Sequence, residues 1–266
     1  MIRLAVRVPA DAAGIVLAEL TELAPGGVEQ VDGDGFVEYA VYGAPGELPS
    51  LPEGTAVIGG VEVTVSGSEV ADDWADRWKA FHRPVLVGGR LRVRPPWEEH
   101  EGGAGVEEVV IDPGRAFGTG GHHTTRMSLE LLLDIDARGS LADLGCGSGV
   151  IAIAAAKLGF APVVAVDHDP DAVAITRENA AVNGVALDRV AALDLRAEAP
   201  PAARTVVANL MRPLLLRVAA LMEGRPEALV VSGLLTHEAD EVAQAFAPLR
   251  EARRLESGGW AALRLE

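Results

Sequence analysis

The sequence predicts an α/β protein: a parallel sheet with helices on both faces, preceded by a small α+β domain. Three observations carry this. From Ser140 onward, short apolar runs alternate with stretches of helical spacing, as in strands joined by crossover helices. The first of these runs ends in Ala142-Asp143-Leu144-Gly145-Cys146-Gly147-Ser148-Gly149, a turn holding three glycines, and an Ala-rich run from Val150 to Lys157 follows it. Before residue 67 the pattern is different, with short alternating runs and turn signals around one early helical stretch.

In order, Ile2 to Val8 alternates as a half-buried strand. Ala10 to Leu23 places Ile15, Leu17, Leu20 and Leu23 at helical spacing, with Asp11 as a candidate cap. Two strands, Val28–Val31 and Phe36–Val41, flank the turn Asp32-Gly33-Asp34-Gly35. Gly43 to Gly54 is rich in Pro and Gly, so any helix there is short, and Val61 to Val65 alternates again. The order β-α-β-β-(short α)-β is that of a ferredoxin-like domain over residues 1–66. It holds no cluster of catalytic residue types, and recognition of a partner or a plain structural extension both fit it.

Residues 67–84 are expected to form a linker helix, because Trp74, Trp78 and Phe81 fall at i, i+4 and i+7. The main domain then runs from 85 to 266. Val85 to Pro95, with Gly88-Gly89 inside it, reads as a hairpin, and Glu107 to Ile111 as a strand. The stretch Asp112 to Thr125, dense in Gly, Thr and His, reads as a loop whose backbone and hydroxyls face a ligand, and it opens a helix from Thr124 to Leu133. Strands are expected at 162–167, 189–193, 204–208 and 228–232, and helices at 150–158, 170–182, 212–222 and 237–247. A pair of strands near 250–256 and 260–265 closes the domain.

The site is expected beyond the carboxyl ends of the strands, where strand order reverses. Asp143, Gly145 and Gly147 follow the first strand, Asp167 ends the second and Asn209 follows the fourth. Glycines let a backbone approach a ligand closely. An acidic residue ending the second strand can accept hydrogen bonds from two ribose hydroxyls. The glycines at 145, 147 and 149, with Val at 150, make G-x-G-x-G instead of the dinucleotide spacing G-x-G-x-x-G. That loop resembles the S-adenosylmethionine loop of class I methyltransferases.

Composition narrows the rest. The formal charge is −16, from 39 acidic and 23 basic residues, which disfavours nucleic acid and anionic membranes and suits a basic partner. The single cysteine, Cys146, excludes an intramolecular disulfide and a Cys-based metal cluster, and its place in the glycine loop reads as packing. No metal is expected, since His122 and His123 have no third ligand at useful spacing. No apolar tract is continuous enough to span a bilayer and the start lacks a leader's apolar core, so a cytoplasmic protein is expected.

Several stretches resemble the bacterial methyltransferases of ribosomal protein eleven of the large subunit: Asp73-Trp74…Trp78-Lys79…Phe81, Arg90-Leu91…Val93…Pro95…Trp97, Asp112-Pro113-Gly114…Ala116-Phe117-Gly118-Thr119-Gly120…His122…Thr124-Thr125, Val207-Ala208-Asn209-Leu210 and Ser232-Gly233-Leu234-Leu235. The resemblance implies a seven-stranded, Rossmann-like methyltransferase domain that uses S-adenosylmethionine. It also implies a small domain that binds the ribosomal protein, and transfer to lysine ε-amines and the N-terminal α-amine. By the family pattern the cofactor positions fall on Thr125, Gly145, Asp167 and Asn209. Asp143, Gly147, Phe117 and Thr124 join them as candidate cofactor contacts. Asn209 is the candidate to orient the amine or the cofactor, and His122 a candidate proton shuttle. Pro45, Pro49 and Pro52 shorten the small domain's second helix relative to the family. A class I methyltransferase for another protein or a small molecule, and a non-catalytic cofactor-binding module, remain as alternatives.

Overall fold

The computed structural model describes residues 2–23, 28–33, 35–43, 48, 51–52, 54–69, 83–100, 103, 105–112 and 121–266. The tryptophan stripe expected as a linker helix and Phe117 lie outside them. The chain divides into two compact units, Met1–Phe81 and His82–Glu266.

The first unit is a five-stranded antiparallel sheet of order β2-β3-β1-β5-β4. Its strands are β1 (Ile2–Pro9), β2 (Glu29–Asp32), β3 (Phe36–Gly43), β4 (Gly54–Ile58) and β5 (Val61–Glu69), with one helix, α1 (Ala13–Leu23), among the described residues. Strand β1 lies antiparallel between β3 and β5, and β2 pairs antiparallel with β3. The pairing of β1 between β3 and β5 fits the strand part of the expected β-α-β-β-(short α)-β order, while the short helix expected between residues 43 and 54 lies largely outside the described residues. The sequence reading missed β4, an edge strand hairpinned onto β5, because the Pro- and Gly-rich run before it carries no strand pattern. Strand β5 also runs to Glu69, past the boundary expected at 66. Asp11 is not a helix cap; it lies inside a 3-10 turn whose own cap is Pro9. One apolar face, including Val6, Val16, Leu20, Tyr39 and Val63, closes over α1.

The second unit carries a seven-stranded sheet of order β11-β10-β9-β12-β13-β15-β14. The strands are β9 (Leu141–Leu144), β10 (Val163–Asp167), β11 (Arg189–Ala192), β12 (Thr205–Asn209), β13 (Ala228–Leu235), β14 (Glu251–Ser257) and β15 (Trp260–Leu265). The first five pair in parallel. Strand β15 is antiparallel to both β13 and β14. Central β9 is buried at every position, so its apolar run does not alternate with polar residues.

Side chains on opposite faces of the sheet join two different clusters. One gathers Leu141, Ala165 and Val207 with α2 (His123–Leu133) and α3 (Val150–Lys157). The other gathers Ala142, Leu144 and Val206 with α5 (Arg212–Leu221) and α6 (Ala239–Ala245). The helix expected at 237–247 begins as a 3-10 turn, Thr236–Glu238, before α6.

Helix α4 (Pro170–Val182) follows β10 directly. A further three-stranded sheet, β6 (Val85–Val87), β7 (Leu91–Arg94) and β8 (Glu107–Val110), packs its apolar residues into the first cluster. Asn183, at the end of α4, holds β8 by both backbone groups of Val110. Its Oδ1 accepts the N–H at 2.8 Å and its Nδ2 donates to the carbonyl at 2.7 Å. The strand leading to Asp112 is thereby tied to the main sheet's helical layer.

Gly233 shows how tightly the site is built. It sits at the bulge of β13 with φ +83°, and a Cβ there would lie 2.5 Å from the Leu210 carbonyl oxygen. Gly233→Ala therefore adds backbone strain and overpacking against backbone, which together are expected to cost about 3 kcal/mol of stability. A urea midpoint unchanged from wild type would refute that close approach.

Candidate functional site

A cleft of about 200 Å³ opens at the carboxyl ends of the parallel strands. It lies where β10 and β12 flank β9 on opposite sides, the point at which strand order reverses. Its wall comes from four strand ends: Gly145, Cys146 and Gly147 after β9; Asp167 and His168 at β10; Leu193 and Leu195 after β11; Asn209 and Leu210 at β12. Thr125 of α2 and Val150 and Ile151 of α3 complete it.

The glycine turn has the conformation that its composition demands. Gly145, Gly147 and Gly149 have φ of +74°, +52° and +81°, values that suit glycine far better than any L side chain. A Cβ on Gly145 would also strike Leu210 Cδ2 at 2.4 Å. Asp167 reaches across to this turn, its Oδ2 accepting the Gly147 N–H at 2.9 Å. Its Oδ1 accepts the Asp169 N–H at 3.1 Å, and the His168 ring nitrogen Nδ1 lies 3.2 Å from the same oxygen. The carboxylate is thus fixed in place beside the cleft. Asn209 meets Thr125 although 84 residues separate them: its Nδ2 donates to Thr125 Oγ1 at 3.4 Å. Thr125 is fully buried, so this contact lies at the floor of the cleft.

Three expected site residues are placed elsewhere. Asp143 is not on the cleft wall. Its side chain is buried inside β9, where Oδ2 accepts the Ala152 N–H at 3.1 Å and so satisfies a donor in the first turn of α3. Burial, with the charge of Asp167 added, pushes its carboxyl up to about 7. The alternation of β9 decides this, because Asp143 points into the helical layer instead of along the strand to its open end. Thr124 is also buried, and its hydroxyl lies 2.8 Å from His122 Nδ1.

His122 is the N-cap of α2, its Nδ1 accepting from the Thr124 N–H at 3.4 Å. The ring stands edge-on to Trp260 at 5.3 Å. Burial, reinforced by His123, holds its imidazole down to about 4. A neutral imidazole whose Nδ1 already accepts from the helix is a poor proton shuttle, so the structure assigns it a capping role. Helix caps are usually Ser, Thr, Asp or Asn, so a histidine cap carries no sequence signal.

The cap has a consequence for acid stability. An imidazole depressed in the folded protein leaves the unfolded chain holding more protons between pH 6.5 and 4. Its contribution is complete above 6.5 and is lost as pH falls toward 4. The shift sets a ceiling of about 3 kcal/mol. In His122→Asn, which caps without titrating, the stability difference from wild type is expected to change across that window. A difference constant from pH 7 to 4, read by thermal melts, would count against it.

The wall residues His168, Leu193, Leu195, Ile151 and Leu210 were not foreseen. His168 and Leu210 adjoin predicted positions, and Leu193 and Leu195 follow the third strand, so strand ends were the available signal. Behind the turn, Thr176 and Asn179 of α4 also went unnoticed, since a lone Thr or Asn in a helix carries no motif. Cys146 is buried and burial pushes its thiol far up, which fits packing and not nucleophilic chemistry. Among the described residues, no three His, Cys, Asp or Glu side chains gather to hold a metal ion. None of the helices there is long and apolar enough to cross a membrane.

The family described as ribosomal protein L11 methyltransferase (PrmA) matches residues 53–266. The ribosomal protein L11 methyltransferase of Citrifermentans bemidjiense is 43% identical over 203 residues, covering 72% of this chain and 66% of that protein. That of Trichlorobacter lovleyi is 37% identical over 232 residues, covering 82% of this chain and 72% of that protein. A crystal structure of ribosomal protein L11 methylase from Lactobacillus delbrueckii subsp. bulgaricus superposes with a TM-score of 0.63 at 26% identity. It covers 70% of this chain and 98% of that one.

Proposed function

The chain belongs to the ribosomal protein L11 methyltransferase family, and from that premise we propose that it transfers methyl groups from S-adenosylmethionine to amines of ribosomal protein L11. The acceptors are lysine ε-amines and the N-terminal α-amine. The chain spans 66% of the length of the Citrifermentans relative. The observation that carries the reading is the coupling of the glycine turn to Asp167 on the wall of the cleft that Asn209 and Thr125 also line.

The residues present fit the cofactor. Gly145 and Gly147 have no side chain to fill the cleft, and both hold positive φ. Asp167 presents a fixed carboxylate, suited to ribose hydroxyls, and Val150, Ile151, Leu193 and Leu195 form an apolar wall, suited to a purine. Thr125 and Asn209 close the remaining side. When bound, S-adenosylmethionine supplies an activated methyl group on a sulfonium. The chain supplies alignment and a dry site.

A free lysine holds its proton up to a pKa of about 10.4, yet only the neutral amine can attack. Desolvation against Leu210 favours that neutral form. Asn209 Nδ2 is engaged with Thr125, so its Oδ1 is the atom free to accept an amine N–H and aim the lone pair. The residues of the first unit recognise the acceptor, and the strong negative charge of the chain favours a basic protein over a nucleic acid. A ribosomal acceptor places the enzyme in the cytoplasm.

The deciding experiment incubates the protein with labelled S-adenosylmethionine and purified ribosomal proteins. Label on L11 is the expected result, and label on another protein, or none, would replace this reading.

A further inference from the structure

The glycine turn is gripped from behind as well as from the cleft. Helix α4 starts three residues after Asp167 and returns beneath the turn. Thr176 is fully buried there, and its hydroxyl donates to the Gly147 carbonyl at 3.0 Å. One turn on, buried Asn179 donates from Nδ2 to the Ser148 carbonyl at 2.8 Å. The approach is close, since a Cβ on Gly149 would lie 2.8 Å from Thr176 Cγ2 and 3.2 Å from its Cα. Residues three apart share a helix face, so both side chains reach the same turn.

Gly147 is the point where the two grips meet. Its N–H is held by Asp167 and its carbonyl by Thr176. Both holders belong to one continuous segment, β10 and the helix that follows it. A glycine-rich backbone left to itself samples many conformations, and selecting one on ligand binding costs conformational entropy. A part-buried carbonyl deprived of its donor also loses stability and shifts to find another partner.

We propose that Thr176, with Asn179, is a positioning residue for the cofactor: it holds the peptides at 147 and 148 in the binding conformation before the cofactor arrives, without touching it. This rests on the assignment of the cleft to S-adenosylmethionine. Acting through the turn, the Thr176 hydroxyl sets cofactor affinity and leaves the methyl-transfer step at saturation almost unchanged.

The test compares Thr176→Val, which keeps the shape and removes the hydroxyl, with Thr176→Ser, which keeps the hydroxyl. The probe is S-adenosylhomocysteine in calorimetry, on the full chain, with kcat and KM for S-adenosylmethionine measured alongside. Thr176→Val is expected to bind roughly 5–10-fold more weakly, in line with loss of one neutral hydrogen bond to the turn. Its kcat is expected within about twofold of wild type, and Thr176→Ser is expected to restore affinity. If Thr176→Val does not fold, Thr176→Ala against Thr176→Ser makes the same comparison. A variant with a lowered melting temperature but wild-type affinity would show a purely structural role and overturn the proposal. Failure of the wild-type protein to bind the probe would instead overturn the assignment of the cleft.

Discussion

A protein lacking residues 1–81 is expected to bind S-adenosylhomocysteine within about twofold of the full chain, and to methylate L11 at least about 100-fold more slowly, a loss near 2.8 kcal/mol. The first half of that expectation comes from the cores. The buried clusters around the seven-stranded sheet are built from residues after 84, and the cluster of the small sheet from residues before 66. Among the described residues, every one on the cleft wall lies between Thr125 and Leu210. Removing the first unit therefore takes none of these residues away. The second half rests on the role proposed for the first unit: the described residues of the cleft wall are mostly apolar or glycine, and the proposed function assigns selection of L11 to the small domain. Measured side by side, cofactor binding by calorimetry and label transfer to L11 separate the two halves. Full transfer by the shortened chain would remove the recognition role of that unit.

Asp167→Ala is expected to weaken S-adenosylhomocysteine binding by about 1.5–3 kcal/mol, the range for hydrogen bonds to a charged group, or about 10- to 150-fold in Kd. Two losses combine. The ribose hydroxyls lose a charged acceptor, and the Gly147 N–H loses the carboxylate that holds it at 2.9 Å. Asp167→Asn separates them, because an amide oxygen can still accept from Gly147 while the charge is gone; it is expected to fall between wild type and alanine. Calorimetry at fixed pH reads both variants. Wild-type affinity in Asp167→Ala would remove this carboxylate from the ribose.

Much of the second unit was legible in the chain. The strand and helix order from 140 to 265, the closing antiparallel pair and the cleft at the strand ends all follow from local periodicity, with boundaries off by up to three residues. The glycine turn and Asp167 were legible for the same reason, since each marks the end of a strand and the turn conformation depends on its own glycines. The misreadings share a different cause. Edge strand β4 owes its conformation to pairing with β5 and not to its own composition. Asp143 and Asp167 are both acidic residues at or near strand ends. Only the side-chain direction in the sheet sends one into the helical layer and the other to the cleft.

What the sequence determined by itself is therefore local: the order of elements, the glycine conformations, the position of the site and the family that its motifs resemble. Tertiary structure alone decided which polar groups meet. His122 became a cap because the close of α2 against Trp260 buries it 138 positions away in sequence. Asn209 found Thr125 across 84 residues, and Thr176 found Gly147 across 29. A hydrogen bond depends on distances of about 3 Å, and contacts at such separations are set by packing of whole layers, which no short window of residues encodes.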